Sequence, residues 1–206
     1  MVTRLSTLGY ALLTLLARES LSGYELARHM KTPIGFFWQA QLSQIYPELA
    51  RLEQLNYVFH QVVVQEDRPS KKLYTLTEPG RAALKAWTTQ PPQPTLERNE
   101  LLLKTYAIWV ADPQAALDLF RACEKAHRDQ LALFEEIQTS IERKSEGILH
   151  PDDPRFGDYA TVRMGVAYER EYVLWCQWMI QQFERVLLPS QRDLQEEQAK
   201  GPFIPS

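Results

Sequence analysis

Apolar residues along this chain fall into a run of short periodic segments. Leu5, Leu8, Leu12 and Leu16 recur at steps of three and four, one face of a first helix that Thr3 or Ser6 can cap. In Leu21-Ser22-Gly23-Tyr24-Glu25-Leu26, Ser22 followed by Glu25 three residues on is a capping box, and Leu21 with Leu26 can staple the helix start. This second helix should run to about Met30, where Lys31-Thr32-Pro33-Ile34-Gly35 breaks it. A third helix is expected from Ser43 or Gln44 to about Asn56, with Pro47 in its first turn. Ile45, Leu49, Leu52 and Leu55 line one side of it, while Ser43, Gln44, Tyr46 and Arg51 fall on other faces. Tyr57 to Gln65 and Lys71 to Thr75 then read as two strands joined by the polar turn Gln65 to Ser70. Thr77 opens a fourth helix with Pro79 in its first turn and Leu84 and Trp87 facing inward.

Gln90-Pro91-Pro92-Gln93-Pro94 can continue neither helix nor strand and reads as a domain boundary. Everything beyond it patterns as helix. Glu97 to Val110 is expected as one helix. Asp112 caps and Pro113 begins a second, whose stripe of Leu117, Phe120, Cys123, His127, Leu131, Phe134 and Ile141 carries it to about Lys144. Ser145 to Asp158 reads as a loop, and the last helix spans about Phe156 to Leu188. One of its stripes is Tyr159, Val162, Val166, Val173, Cys176, Ile180, Phe183 and Leu187, interrupted at Glu169; Tyr168, Tyr172, Trp175, Met179 and Val186 form a second beside it. An apolar arc this wide exceeds what one neighbouring helix covers, so a second subunit is expected, with Val166, Val173, Cys176, Ile180, Phe183 and Leu187 as its dimerisation residues. The expected organisation is a reading head over residues 1–90, a helical dimerisation domain that can also sense an effector over 95–188, and a flexible tail over 189–206.

The 206 residues, 45% of them hydrophobic, are enough for a real core. The net charge of -3 argues against a nucleic-acid partner only until it is divided. Met1 to Gln90 holds 10 basic and 7 acidic residues, a balance of +3, and the remainder holds 13 and 19, a balance of -6. The basic excess lies in the expected reading head. Cys123 and Cys176 show no CxxC spacing and read as reduced thiols; His29, His60, His127 and His150 form no metal-site pair, so no metal and no cofactor are expected. The longest apolar run, Ala11 to Ala17, is too short to cross a membrane and no signal peptide is seen, which points to the cytoplasm. There is no nucleophile elbow, P-loop, dinucleotide turn or spaced carboxylate set, so no catalytic residues and no enzyme are expected.

Duplex DNA offers a major groove about 12 Å wide that admits one helix, and phosphates that reward cations beside it. Gln41, Ser43 and Gln44 can meet base edges or phosphates; Tyr46 and Arg51 can clamp the backbone; Arg68, Lys71 and Lys72 stand where a wing would meet the adjacent phosphates. Four of these have a plainer alternative. Tyr46 can pack beside the first helix, Glu48 can hold Arg51, and Lys71 and Lys72 alternate faces so that only one reaches phosphate. Arg28, His29 and Lys31 read as a solvated helix end. Tyr106, Trp109, Trp175 and Trp178 can line a pocket for a small aromatic ligand or simply pack, and His127 reads as a satisfied core histidine.

Ser22-Gly23-Tyr24-Glu25-Leu26, then Ile45-Tyr46-Pro47 with Leu49 and Arg51-Leu52-Glu53, then Tyr74-Thr75-Leu76-Thr77 with Gly80-Arg81 and Leu84, resemble the PadR family of transcriptional regulators in order and spacing. The resemblance covers about the first 90 residues closely and the helical remainder loosely. It implies a mainly α fold with a small β-hairpin wing: a winged helix-turn-helix domain plus an α-helical dimerisation domain. It also implies a homodimeric repressor on an inverted-repeat operator in double-stranded DNA, released by a ligand or stress signal. Asn56 stands where the family has glycine after the recognition helix, and asparagine tolerates the left-handed backbone that glycine serves there. Phe37, Trp38 and the acidic Glu66-Asp67 of the wing are local to this chain, and the acids motivate an alternative: a winged helix that binds protein rather than DNA.

Overall fold

A computed structural model describes residues 5–30, 41–64, 70–92, 98–145 and 150–188, arranged in two compact units, Met1–Thr95 and Leu96–Ser206. In the first unit, α1 (Thr7–Leu16) is capped by Ser6, whose hydroxyl accepts from the Gly9 amide at 2.9 Å. The capping box forms at α2 (Gly23–His29): Glu25 accepts from the Ser22 amide at 2.7 Å, and the Ser22 hydroxyl accepts from the Glu25 amide at 3.3 Å. The break expected at Lys31 to Gly35, with Phe37 and Trp38, lies outside the described residues.

Helix α3 (Leu42–Gln54) opens a residue or two earlier than expected, so Pro47 falls in its second turn instead of its first. The Gln44 side chain makes this possible by accepting from the Gln41 amide at 3.0 Å, which fixes a turn ahead of the proline. Pro47 denies Ser43 its helical donor, and because Ser43 is exposed, water can replace it. Ile45, Leu49 and Leu52 are fully buried, as their spacing predicted, and Leu55 packs at the edge of the same core. Each such side chain contributes about 1.5–3 kcal/mol through burial. Asn56 then adopts φ 56°, the left-handed turn expected of it.

The wing strands are β2 (Val58–Val63) and β3 (Lys71–Leu76), antiparallel with Val58 opposite Leu76 and Val63 opposite Lys71. A third strand was not anticipated: Leu21–Ser22 forms a two-residue β1 that pairs with β3, giving the order β1-β3-β2. Ser22 is therefore both a strand residue and the cap of α2. Thr77 caps α4 (Glu78–Thr88), whose Leu84 is buried and whose Trp87 stacks on Tyr10 at 4.4 Å between ring centroids. One contiguous core runs from Leu5 to Leu84, joining all four helices and the sheet.

The second unit begins with α5 (Glu100–Tyr106) and a 3-10 turn, Ile108–Val110, where one helix from Glu97 to Val110 was expected. No residue of either piece is fully buried; Leu101 and Ile108 alone pack at the edge of the Phe120 cluster, and the exposed β-branched and aromatic end of the segment tightens into a 3-10 turn. Helix α6 (Pro113–Lys144), capped by Asp112, and helix α7 (Pro154–Leu187), capped by Asp153, are each roughly 50 Å long. They run antiparallel: Arg121 pairs with Glu184, His127 with Glu169, and Glu135 with Arg170. Gly165 lies against the Phe134 ring, where a Cβ would come within 2.9 Å of it. The core here is two separate clusters, one around Phe120, Cys176 and Met179 and one around Phe134, Val162 and Val166.

Candidate nucleic-acid interface

Burying Ile45, Leu49 and Leu52 turns the opposite side of α3 to solvent: Gln41, Leu42, Ser43, Gln44, Tyr46 and Ala50 are exposed. Tyr46 does two things at once. Half of it is exposed, yet its ring lies so close over Gly23 that a Cβ there would come within 2.5 Å of it. Both roles weighed for it, contact and packing, are thus open to one side chain, with α2 rather than α1 as the packing surface. Arg51 lies 4.0 Å from Glu48, which also accepts a 2.7 Å hydrogen bond from Ser6, the cap of α1. That pairing takes up part of the charge expected to clamp a backbone.

In the wing, the two lysines part company as strand alternation requires. Lys72 is exposed, whereas Lys71 donates to Glu25 at 3.3 Å. Hydrogen bonds from Ser22 side chain and backbone, reinforced by Lys71, hold the Glu25 carboxyl at about 2, so it is ionised at any working pH. His60 on β2 pairs with Glu53 on α3 at 2.5 Å. Burial, with Glu53 and Tyr46 nearby, raises the Tyr74 phenol and keeps it neutral. Arg68 lies outside the described residues.

These groups border a cleft of about 810 Å³ between α2, α3 and the wing. Tyr24, Arg28, Tyr46 and Lys72 supply donors and cations around it, while Glu25 is paired with Lys71 and Glu53 is hydrogen-bonded to His60. Tyr24 was missed in the sequence reading, and Arg28 was set aside as a solvated helix end. The signal for both was the capping box itself, since fixing the start of α2 fixes which of its residues face the third helix. A phosphodiester strand, anionic and rich in acceptors, fits the donors this cleft collects.

In the second unit, the residues expected to join subunits are largely taken by the chain's own fold. Val166, Val173 and Cys176 are buried, and Ile180 and Phe183 pack on the Phe120 cluster; only Leu187 remains substantially exposed. This corrects the expectation: the more regular stripe of α7 faces α6, because antiparallel helices mesh along that seam first. Burial also pushes the Cys176 thiol up to about 11. What stays uncovered is Met164, Tyr168, Leu174, Trp178, Val186 and Leu188. Glu169, which interrupted the stripe, is buried and its carboxylate is hydrogen-bonded to His127 at 2.5 Å, and His127 stacks on Tyr172 at 4.3 Å. His127 is a partnered core histidine, as read.

The four aromatics grouped as an effector pocket do not gather. Trp175 lines an apolar groove of about 530 Å³ with Leu102, Met164, Tyr168 and Tyr172, while Tyr106, Trp109 and Trp178 project into solvent elsewhere on the unit. Asn99 donates to the Tyr172 hydroxyl and fixes one wall of that groove. Among the described residues no group of three metal-ligating side chains occurs, and no helix is long and apolar enough to cross a membrane.

Residues 12–86 match the family described as "Transcriptional regulator PadR-like family", and residues 97–184 match "Virulence activator alpha C-term". The chain is 33% identical over 181 residues to the negative transcriptional regulator PadR of Bacillus subtilis, covering 86% of this chain and 98% of that protein. The crystal structure of that protein in complex with operator DNA superposes with a TM-score of 0.75 at 32% identity, over 86% of this chain and 99% of that one. Its complex with p-coumaric acid gives 0.69 at 32% identity, over 87% and 99%. The virulence activator AphA of Vibrio cholerae, 22% identical with a TM-score of 0.67 over 87% of this chain and 99% of that one, shares the fold.

Proposed function

This chain belongs to the PadR-like family of transcriptional regulators, and from that premise we propose that it is a cytoplasmic, non-catalytic repressor. It binds an inverted-repeat operator as a homodimer and is released by a small aromatic ligand. The observation that carries the reading is the exposed polar start of α3 beside a cleft edged by Tyr24, Arg28, Tyr46 and Lys72, in a chain whose relative was crystallised on operator DNA. Gln41, Ser43 and Gln44 read base edges; Tyr46, Arg28 and Lys72 hold phosphates. Arg51 and Arg68 add to the phosphate contacts. A single head carries only +3, so affinity depends on two heads held one helical turn apart, and the uncovered face of α7 supplies the second subunit.

The relative's complex with p-coumaric acid supports release by a phenolic compound, and Tyr168, Tyr172 and Trp175 offer the stacking surface for it. The exposed apolar Phe59 and Val62 of the wing favour the competing reading, a protein-binding winged helix. Fluorescence anisotropy with the DNA upstream of the chain's own gene, at several salt concentrations, separates the two. A specific, salt-sensitive shift lost in Tyr46→Ala supports DNA reading; no specific binding, or binding indifferent to salt, ends it.

A further inference from the structure

We propose that Glu25 is a positioning residue for DNA binding: through Lys71 its carboxylate holds wing strand β3 against α2, and Lys71 is a strut in place of a phosphate contact. The inference rests on the DNA-reading function proposed above. Glu25 divides its two oxygens between two elements. One accepts from the Ser22 amide at 2.7 Å and the Ser22 hydroxyl at 2.6 Å, closing the cap of α2; the other accepts from Lys71 at 3.3 Å, across 46 residues of sequence. Ser22 is at the same time paired with Leu73 on β3. The carboxylate is thus anchored by one partner and free to orient the other. On the far wing strand the same device recurs, with Glu53 of α3 holding His60 of β2 at 2.5 Å.

A carboxylate at the edge of a phosphate-binding cleft is unfavourable for DNA unless it does something that outweighs its charge. Holding the wing does so, because Lys72, the neighbouring exposed cation, reaches the backbone only if β3 keeps its place beside α3. The two roles predict opposite signs. If Glu25 is merely a nearby acid, neutralising it strengthens binding; if it positions the wing, neutralising it weakens binding.

The test is operator affinity measured across about 50–200 mM salt for the full-length wild type, Glu25→Gln, Lys71→Met, Lys72→Met and the double variant Glu25→Gln/Lys71→Met. Glutamine keeps the capping box, so the fold of α2 is preserved, and thermal melting of each variant checks it. Lys72→Met should lower the salt slope by about one. Glu25→Gln and Lys71→Met should each weaken binding about two- to fivefold with the wild-type slope, and the double variant should be no worse than either. Tighter binding by Glu25→Gln, or a slope reduced by about one in Lys71→Met, overturns the proposal. Absence of salt-dependent binding in the wild type overturns the DNA reading itself, an outcome distinct from any variant effect.

Discussion

The two units bury their apolar residues in different ways. The first closes a single core from four helices and a sheet within one chain, and presents a polar face. The second spends two helices of more than thirty residues each on two small clusters and leaves Leu103, Tyr106, Trp109, Met164 and Trp178 more than half exposed. The first unit is finished; the second is half of something. On the function proposed above, a further copy covers this apolar surface, and a signal that competes for it would act on assembly.

The contrast breaks most sharply in the core. Leu52→Ala in the first unit should cost about 2–5 kcal/mol in denaturant unfolding, whereas Leu174→Ala, on the uncovered face of α7, should change the stability of a single chain by under about 0.5 kcal/mol. Gly23→Ala comes next: its Cβ meets the Tyr46 ring, so a loss of about 1–3 kcal/mol should be accompanied by weaker DNA binding as the ring is displaced. Trp178→Glu should leave helicity intact by circular dichroism while light scattering shows a shift from dimer to monomer; an unchanged mass would assign the second subunit to another face. Acidification gives a smaller effect. Glu25 sits at about 2 against an ordinary 4.5, so its contribution is complete above 4.5 and is lost as pH falls toward 2; Glu25→Gln should flatten that part of the stability profile. The smallest change is Lys125→Ala, which removes an exposed pair with Asp129 and should shift stability by under about 0.5 kcal/mol.

Signals confined to a few neighbouring residues were legible in the sequence. The Ser22 to Glu25 box, the Ile45 to Leu52 stripe, the caps at Thr77 and Asp112 and the left-handed Asn56 all follow from local chemistry and appear as expected. What escaped depends on partners distant in the chain. The two-residue β1 has no periodicity of its own and exists because Leu73 and Tyr74 lie beside it. Two stripes on α7 could be seen, but which one meshes with α6 is decided by packing, and the regular one had been assigned to the partner subunit. The contact between Lys71 and Glu25 could not be seen either, because 46 residues separate the two in sequence.

Ser22 also bears on how the reading head comes apart. One residue closes the cap of α2, pairs with β3 and stands beside the carboxylate that holds the wing. Detaching the wing removes the strand pairing of Ser22 and the Lys71 partner of Glu25, and fraying at the start of α2 loosens both. Amide protons at the start of α2 and along β3 are therefore expected to exchange with solvent together, which hydrogen exchange followed residue by residue checks.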